Sequence, residues 1–334
     1  KAVLCPKIVN FRQHGAPSAP SCTAATSMRS LPNYLNRIGL KHAPLKADLS
    51  TLALVMAAHS RAIAFENIDV VRGKTISMAR GDVEKKLVDD LRGGYCWEQN
   101  TLLSMALEEI GFDVVPLLCR VRWNKADDKE EPNTTFTHFA LKVSTDAGPH
   151  LADVGFAGTN SMAPVRLDGE DGAAQPLPEG LFRVVDGTHA RYRQLQLQVK
   201  GGWRGLYEWR DERAPLVDQE CNNWYSCTYP SARFTTSFFV CRILGDERHH
   251  ILNADYVVRR GHGVESEVVT TAVADKAQLL APQPVTMRAP RLWPHGQGAL
   301  RVLSGGSGSQ QPTRPAHRPS SPPPKQPSAP AARA

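Results

Sequence analysis

Two adjacent glycines, Gly93 and Gly94, stand just ahead of a segment that reads as a helix opening on a cysteine. That arrangement constrains the chain more than any other feature. From Cys96 the apolar residues Leu102, Leu103, Met105, Ala106, Leu107 and Ile110 recur at helical spacing, and Gly111 is a natural stop. Two residues without Cβ atoms admit another backbone or a ligand into close approach at the helix start. A thiol in the first turn faces unpaired N–H groups and the positive end of the helix dipole. Both favour the thiolate and predict a depressed pKa for Cys96. Core filling is the alternative for an unpaired cysteine. A nucleophile also needs a base and a group that orients the base.

The segment Thr135–Val143 is β-branched and aromatic and reads as a strand; Ser144–Pro149 reads as a turn and His150–Gly155 as a second strand. His138 and Asp153 are separated by an odd number of positions, so a hairpin with an even loop places them on one face. A loop at Thr145-Asp146 pairs Ser144 with Ala147 and sets His138 directly opposite Asp153, with Cβ atoms about 4.5–5.5 Å apart. The carboxylate would then hold one imidazole tautomer while the other ring nitrogen takes the proton of Cys96. Papain-like peptidases, transglutaminases and acyltransferases all use such a trio. The residues themselves therefore leave open a Cys–His–Asp amidase or peptidase-like hydrolase, and a catalytically inactive scaffold with interaction tails.

Five segments, in order, resemble the arylamine N-acetyltransferases. Arg92-Gly93-Gly94-Tyr95-Cys96-Trp97-Glu98-Gln99-Asn100 looks like the family signature, and Ala64-Phe65-Glu66-Asn67-Ile68-Asp69 resembles its Pro-Phe-Glu-Asn-Leu-Asp segment. Thr137-His138-Phe139 resembles the histidine strand, and Asp153-Val154-Gly155-Phe156-Ala157-Gly158 the Asp-Val-Gly-Phe-Gly segment. The stretch from Asn223 to Phe234 is similar to the family's Asn-Trp-Tyr region. The similarity runs from about Tyr34 to about Glu265. Ala64 stands where proline is usual and Ala157 where glycine is frequent; the second bears on acyl-donor and amine preference.

The resemblance implies an α+β fold with a papain-like Cys-His-Asp site: a helical bundle over 34–111, a β-barrel over 112–220 and an α/β lid over 221–303. It implies Cys96, His138 and Asp153 as catalytic residues. The reaction implied is ping-pong transfer from acetyl-CoA to arylamines and hydrazines, with acetyl-CoA as acyl-donor substrate and no permanently bound cofactor. It also implies that Arg92 pairs with Glu66, tying the first helices to the nucleophile turn, with Asn100 as further structural support. Tyr95, Trp97, Phe65 and Phe156 are expected to wall a slot for a flat amine, and the N–H groups near Tyr95 and Cys96 to form an oxyanion site.

Charge distribution narrows the partners. Of 40 Lys and Arg, seven lie in residues 1–47 and four in 304–334, two stretches without Asp or Glu. The body between is left with 29 basic against 33 acidic residues. A nucleic-acid partner is not expected. No run of 18 apolar residues suggests a membrane span. Seven cysteines without a Cys-x-x-Cys pair argue against a disulfide framework and fit a cytoplasmic, reducing setting. The spacing of Cys221, Cys227, Cys241, His249 and His250 does not match zinc ligands, so no metal is expected. The basic stretch 1–33 reads as a flexible extension compatible with organelle targeting. The Pro/Ser-rich tail 304–334 reads as disordered, with 319–324 a candidate ligand for a domain that reads polyproline II.

Overall fold

The computed structural model describes residues 28–123, 134–200, 202–260 and 267–272. Most of the expected N-terminal extension, the lid residues beyond 272 and the whole tail with its polyproline candidate lie outside them. The helical part comprises α1 (Leu31–Arg37), α2 (Leu49–Ala62), α3 (Ile68–Val71), α4 (Arg80–Glu84) running into a π-helical turn (Lys85–Asp89), and α5 (Cys96–Ile110). Short polar side chains start the first two: Ser30 accepts from the Asn33 N–H, and Asp48 from the Thr51 N–H at 2.8 Å. Helix α5 ends where Gly111 takes φ +107°, a left-handed value that suits glycine. Every residue from Cys96 to Leu107 is buried, so α5 is the central rod of this part and meets water only at its last turn, through Glu108 and Glu109.

Between α2 and α3 lies the two-residue strand β1 (Phe65–Glu66), which forms a parallel bridge to Gly94. The Glu66 N–H donates to the Gly94 carbonyl at 3.0 Å, and the Gly94 N–H to that of Ala64 at 3.3 Å. A Cβ on Gly93 would strike the Ala64 carbonyl and lie 2.7 Å from Glu66 Cγ. The close approach that Gly93 permits is therefore that of β1, while a Cβ on Gly94 would lie 2.7 Å from Glu98 Oε2.

Strands β2 (Val114–Val121), β3 (Phe136–Thr145), β4 (Gly148–Ala152), β5 (Val165–Arg166), β6 (Gln175–Leu177), β7 (Gly180–Asp186), β8 (Tyr192–Val199) and β9 (Gly202–Arg210) form one antiparallel sheet in the order β5-β4-β3-β2-β9-β8-β7-β6. The sheet curls until its edges meet through one side chain. The Arg166 N–H donates to Gln175 Oε1 at 2.8 Å, and Gln175 Nε2 donates to the Arg166 carbonyl at 3.0 Å. The result is a nearly closed barrel filled by residues such as Leu117, Ala140, Leu151 and Phe182.

Helices α6 (Leu216–Thr228) and α7 (Arg233–Thr236) follow, then β10 (Phe239–Leu244), β11 (Glu247–Leu252), β12 (Asp255–Arg260) and β13 (Glu267–Ala272). These strands form a second sheet in which β1 pairs with β10, so the lid incorporates a strand from the helical part. Helix α6 starts before the boundary of 220 expected from the sequence. Trp97 Nε1 donates to Ser226 Oγ at 3.2 Å and Asn223 Nδ2 to the Ile76 carbonyl at 2.9 Å, holding α6 against the helical part. Among the described residues no helix is long and apolar enough to cross a membrane.

The β3–β4 hairpin differs from its expected register. Thr145 pairs with Gly148 and Ser144 with Pro149, so the turn is Asp146-Ala147. Gly148 adopts φ +98° and decides this, because the left-handed position belongs where a glycine is available. In this register Asp153, just past the end of β4, faces Ala140 rather than His138. Both registers pair odd-separated residues, however, so His138 and Asp153 remain on one face.

Candidate active site

Strand β3 is buried on both sides. Phe139, Leu141 and Val143 pack into the core that contains α5, while Ala140 belongs to the barrel interior. His138 shares the side of Ala140. Cys119 pairs with His138 but Arg120 pairs with Phe136, leaving Thr137 as the extra residue of a β-bulge. The freed Thr137 carbonyl accepts from Cys96 Sγ at 3.7 Å, which puts the sulfur against the residue preceding His138.

His138 Nε2 lies 2.7 Å from Asp153 Oδ2, leaving Nδ1 as the ring nitrogen free to serve a thiol. The second carboxylate oxygen accepts from Asn100 Nδ2 at 2.8 Å and from the Gly155 N–H at 2.7 Å. Asn100 lies four residues after Cys96, on the same helical face one turn along. Its amide also donates to the Phe139 carbonyl and accepts from the Val154 N–H at 3.0 Å. This one side chain thus fastens α5 to β3 and to the loop after β4. A Cβ on Gly155 would lie 2.7 Å from Cys96 Cα, so that loop rests directly on the helix start.

Cys96 and His138 are each 2% exposed and Asp153 6%. Burial pushes the Asp153 carboxyl up, but His138, the Asn100 amide and the Gly155 N–H together bring it below the usual carboxylate range. Burial also pushes the Cys96 thiol up, joined by the Asp153 charge, and the Trp97 and Cys96 N–H groups oppose this without prevailing. The depressed pKa expected from the helix start is therefore corrected: desolvation outweighs the N-terminal N–H groups. The imidazole held by Asp153 follows directly on the bulge residue whose carbonyl meets the Cys96 sulfur.

The expected aromatic slot is also corrected. Tyr95 and Trp97 are fully buried: the Tyr95 hydroxyl bonds the Asn223 side chain, and Trp97 stacks on Phe139 at 5.6 Å. Both are core residues because α5 is enclosed by β3 and α6. Phe65 is 6% exposed and packs against the half-buried Phe234 and Phe239 at 5.8 and 5.5 Å. Phe156 alone of the four stands edge-on to His138, at 5.1 Å. Tyr207 on β9 lies 4.7 Å from the same ring and 5.2 Å from Phe156. Nothing local in the sequence marks Tyr207; the pairing of β2 with β9 brings it there. The Tyr95 N–H donates to Glu98 Oε2 at 3.1 Å and is unavailable to an oxyanion, which leaves Cys96 and Trp97 as first-turn donors.

Behind the turn from Gly93 to Cys96 lies a group of charges. Arg92 Nη2 is 2.8 Å from Glu66 and 3.3 Å from Asp69, and Lys86 Nζ is 3.0 Å from Asp69 and 2.7 Å from Glu98. Burial, offset in part by Lys86, raises the Glu98 carboxyl to about 7. The Arg92 side chain is 36% exposed, so water screens its pair with Glu66. Its loss costs well below the roughly 3–5 kcal/mol of a fully buried pair.

A second polar chain braces the turn from α5. Gln99 Nε2 donates to the carbonyls of Ala64 at 2.8 Å and Gly94 at 3.1 Å, so its Oε1 is the acceptor facing His59 Nε2 at 2.7 Å. His59 therefore carries its proton on Nε2, and Nδ1 accepts from the Tyr34 hydroxyl at 2.9 Å. Burial holds His59 at about 4, against the Gln99 hydrogen bond that pulls it up. Below pH 6.5 the unfolded chain takes up a proton that the folded chain refuses until about pH 4, so the His59 contribution falls as pH falls through that window. The stability advantage of the native protein over His59→Gln is expected to shrink by about 3 kcal/mol between pH 7 and pH 4. Urea unfolding of both proteins at the two pH values measures it, and an unchanged difference would contradict a buried neutral His59.

A family model described as N-acetyltransferase matches residues 48–282. The chain is 38% identical over 236 residues to an arylamine N-acetyltransferase of Mycolicibacterium smegmatis, covering 70% of this chain and 84% of that protein. A solved structure of the M. smegmatis arylamine N-acetyltransferase superposes with a TM-score of 0.69 at 36% identity, covering 75% of this chain and 89% of that one. The structure of the Mycobacterium marinum arylamine N-acetyltransferase in complex with CoA superposes with a TM-score of 0.68 at 31% identity, covering 75% and 89%.

Proposed function

The chain belongs to the arylamine N-acetyltransferase family, and we propose that it carries an acetyl group from acetyl-CoA to arylamines and hydrazines in two half-reactions, through a thioester on Cys96. The observation that carries this reading is the 2.7 Å contact of His138 with Asp153, on a strand whose bulge meets the Cys96 sulfur at the start of α5. The family match favours transfer over the hydrolase and scaffold alternatives that the residues by themselves leave open.

In the first half-reaction His138 Nδ1 takes the Cys96 proton as the sulfur attacks the thioester carbonyl. First-turn N–H groups of α5 face the developing oxyanion. The C–S bond to CoA breaks, the proton on His138 goes to the departing CoA sulfur, and acetyl-Cys96 remains. In the second half-reaction the amine nitrogen attacks that thioester. His138 accepts the amine proton, and the Cys96 sulfur leaves with the bonding pair and recovers the proton. An aryl amine or hydrazine suits this step because its nitrogen is unprotonated near neutral pH. We assign Phe156 and Tyr207, which pack around the imidazole, to the wall that an incoming flat amine meets. A reducing, cytoplasmic setting is proposed on the cysteines, since the five among the described residues are all free thiols.

Acetyl-CoA without any amine is expected to leave a hydroxylamine-labile acetyl group on Cys96. Peptide mass spectrometry reads it directly. Acetylation confined to lysines, or to Cys119 or Cys227, would overturn the assignment.

A further inference from the structure

We propose that Gln99, oriented by His59 and Tyr34, is a positioning residue for acylation of Cys96. The inference rests on the acyl-transfer reading above and adds to it a second polar chain, separate from His138 and Asp153. The peptide joining Gly94 to Tyr95 is the rigid unit immediately ahead of the Tyr95–Cys96 peptide, which carries the Cys96 N–H. Its carbonyl accepts from the Glu66 N–H at 3.0 Å and from Gln99 Nε2 at 3.1 Å, and its N–H donates to Glu98 at 3.1 Å. Both lone pairs and the only proton of this peptide are thus occupied, and its plane is locked from both sides. The next N–H along the chain is that of Cys96, one of the two left for an oxyanion. A rotation of the Gly94–Tyr95 plane would swing the Cys96 N–H away from where charge develops, and a displacement of about 1 Å at such a point is costly to rate.

Glu98 and Gln99 are the contributors to this lock that lie within α5, and Gln99 also ties the helix to the residue ahead of β1, because its amide spans the Ala64 and Gly94 carbonyls. The amide works in one orientation only. Flipped, it would set its oxygen against two carbonyl oxygens. His59 prevents the flip by donating Nε2–H to Gln99 Oε1, and the Tyr34 hydroxyl keeps His59 in that tautomer by donating to Nδ1. Tyr34 and His59 are fully buried and Gln99 is 1% exposed, so water does not substitute for a lost partner without cost. The order of dependence is the peptide on Gln99, Gln99 on His59, and His59 on Tyr34.

The test measures the single-turnover rate of Cys96 acetylation by acetyl-CoA, together with CoA affinity by titration, for the native chain, Gln99→Met, Tyr34→Phe and the double variant. Methionine keeps the length of the side chain and removes the amide. Gln99→Met is expected to acylate at least ~10-fold more slowly with CoA affinity within about twofold of native, because the turn is misplaced while the cleft is intact. Tyr34→Phe is expected to lose about two- to fivefold, and the double variant to match Gln99→Met, since Tyr34 acts only through Gln99. A purely structural role would lower the folded fraction and leave the rate per folded site unchanged. Native-rate acylation by folded Gln99→Met, or losses that multiply in the double variant, would overturn the proposal. Should Gln99→Met not fold, Tyr34→Phe decides: slower acylation at unchanged CoA affinity supports the chain, and an unchanged rate refutes it. Failure of the native chain to acetylate would instead refute the acyl-transfer reading.

Discussion

Asp153→Asn is expected to slow acetylation of Cys96 by roughly 10³–10⁴-fold while leaving the fold and CoA affinity nearly intact. The carboxylate oxygen 2.7 Å from His138 Nε2 accepts a hydrogen bond from the ring N–H. An amide NH₂ in that place donates instead, so Nε2 must become the acceptor and the ring proton moves to Nδ1. The nitrogen proposed to take the thiol proton then has no lone pair to offer. The amide oxygen still accepts from Asn100 and the Gly155 N–H, which is why the loop keeps its shape. Burial raises the Cys96 thiol, so without a competent imidazole the sulfur stays protonated. Single-turnover mass spectrometry of native and variant protein reads the rate. A variant within tenfold of native would show that Asp153 does not set the tautomer.

Asn100→Asp is expected to be nearly as damaging by a different route. The Nδ2 group is 2.8 Å from Asp153 Oδ1, and replacing it with oxygen sets two carboxylates in hydrogen-bond contact in a buried site. Two such groups do not both ionise, so one keeps a proton near neutral pH. When Asp153 keeps it, His138 loses its counter-charge; as pH rises and the shared proton is lost, repulsion pushes the loop after β4 off α5. The Phe139 carbonyl also loses its donor. A loss of about 3 kcal/mol or more of stability is expected, with acylation at least ~100-fold slower. The rate relative to native should recover as pH falls, because a protonated carboxyl at position 100 can donate to Asp153 again. Native stability and a flat rate ratio between pH 8 and pH 6 would refute the clamp assigned to Asn100.

The contrast between Gly94 and Tyr95 shows where reading the sequence reached its limit. The glycine pair announces a close approach, and the apolar spacing after Cys96 matches a helix that runs to Ile110 and stops at a left-handed Gly111. What approaches Gly94 is not written locally, because β1 lies about thirty residues upstream and its lid partner β10 far downstream. The aromatic character of Tyr95 and Trp97 is equally visible, but their partners are Asn223 and Ser226 on α6. An aromatic ring at a cleft and one in a core look alike until the covering element is known.

The sequence by itself determined the helix that opens on Cys96, the hairpin carrying His138 and Asp153, and the fact that those two share a face. Helical and strand periods are local properties of the backbone, and a parity argument survives a shift of register by two. The tertiary structure alone decided the register, because a left-handed Gly148 set the turn at Asp146-Ala147. It alone brought Tyr207 beside the imidazole and set Asn100 and the Gly155 N–H against Asp153. The state of the Cys96 thiol was likewise decided there. The helix dipole that lowers it can be read from a few neighbouring residues, whereas the desolvation that raises it sums over every element packed around the sulfur.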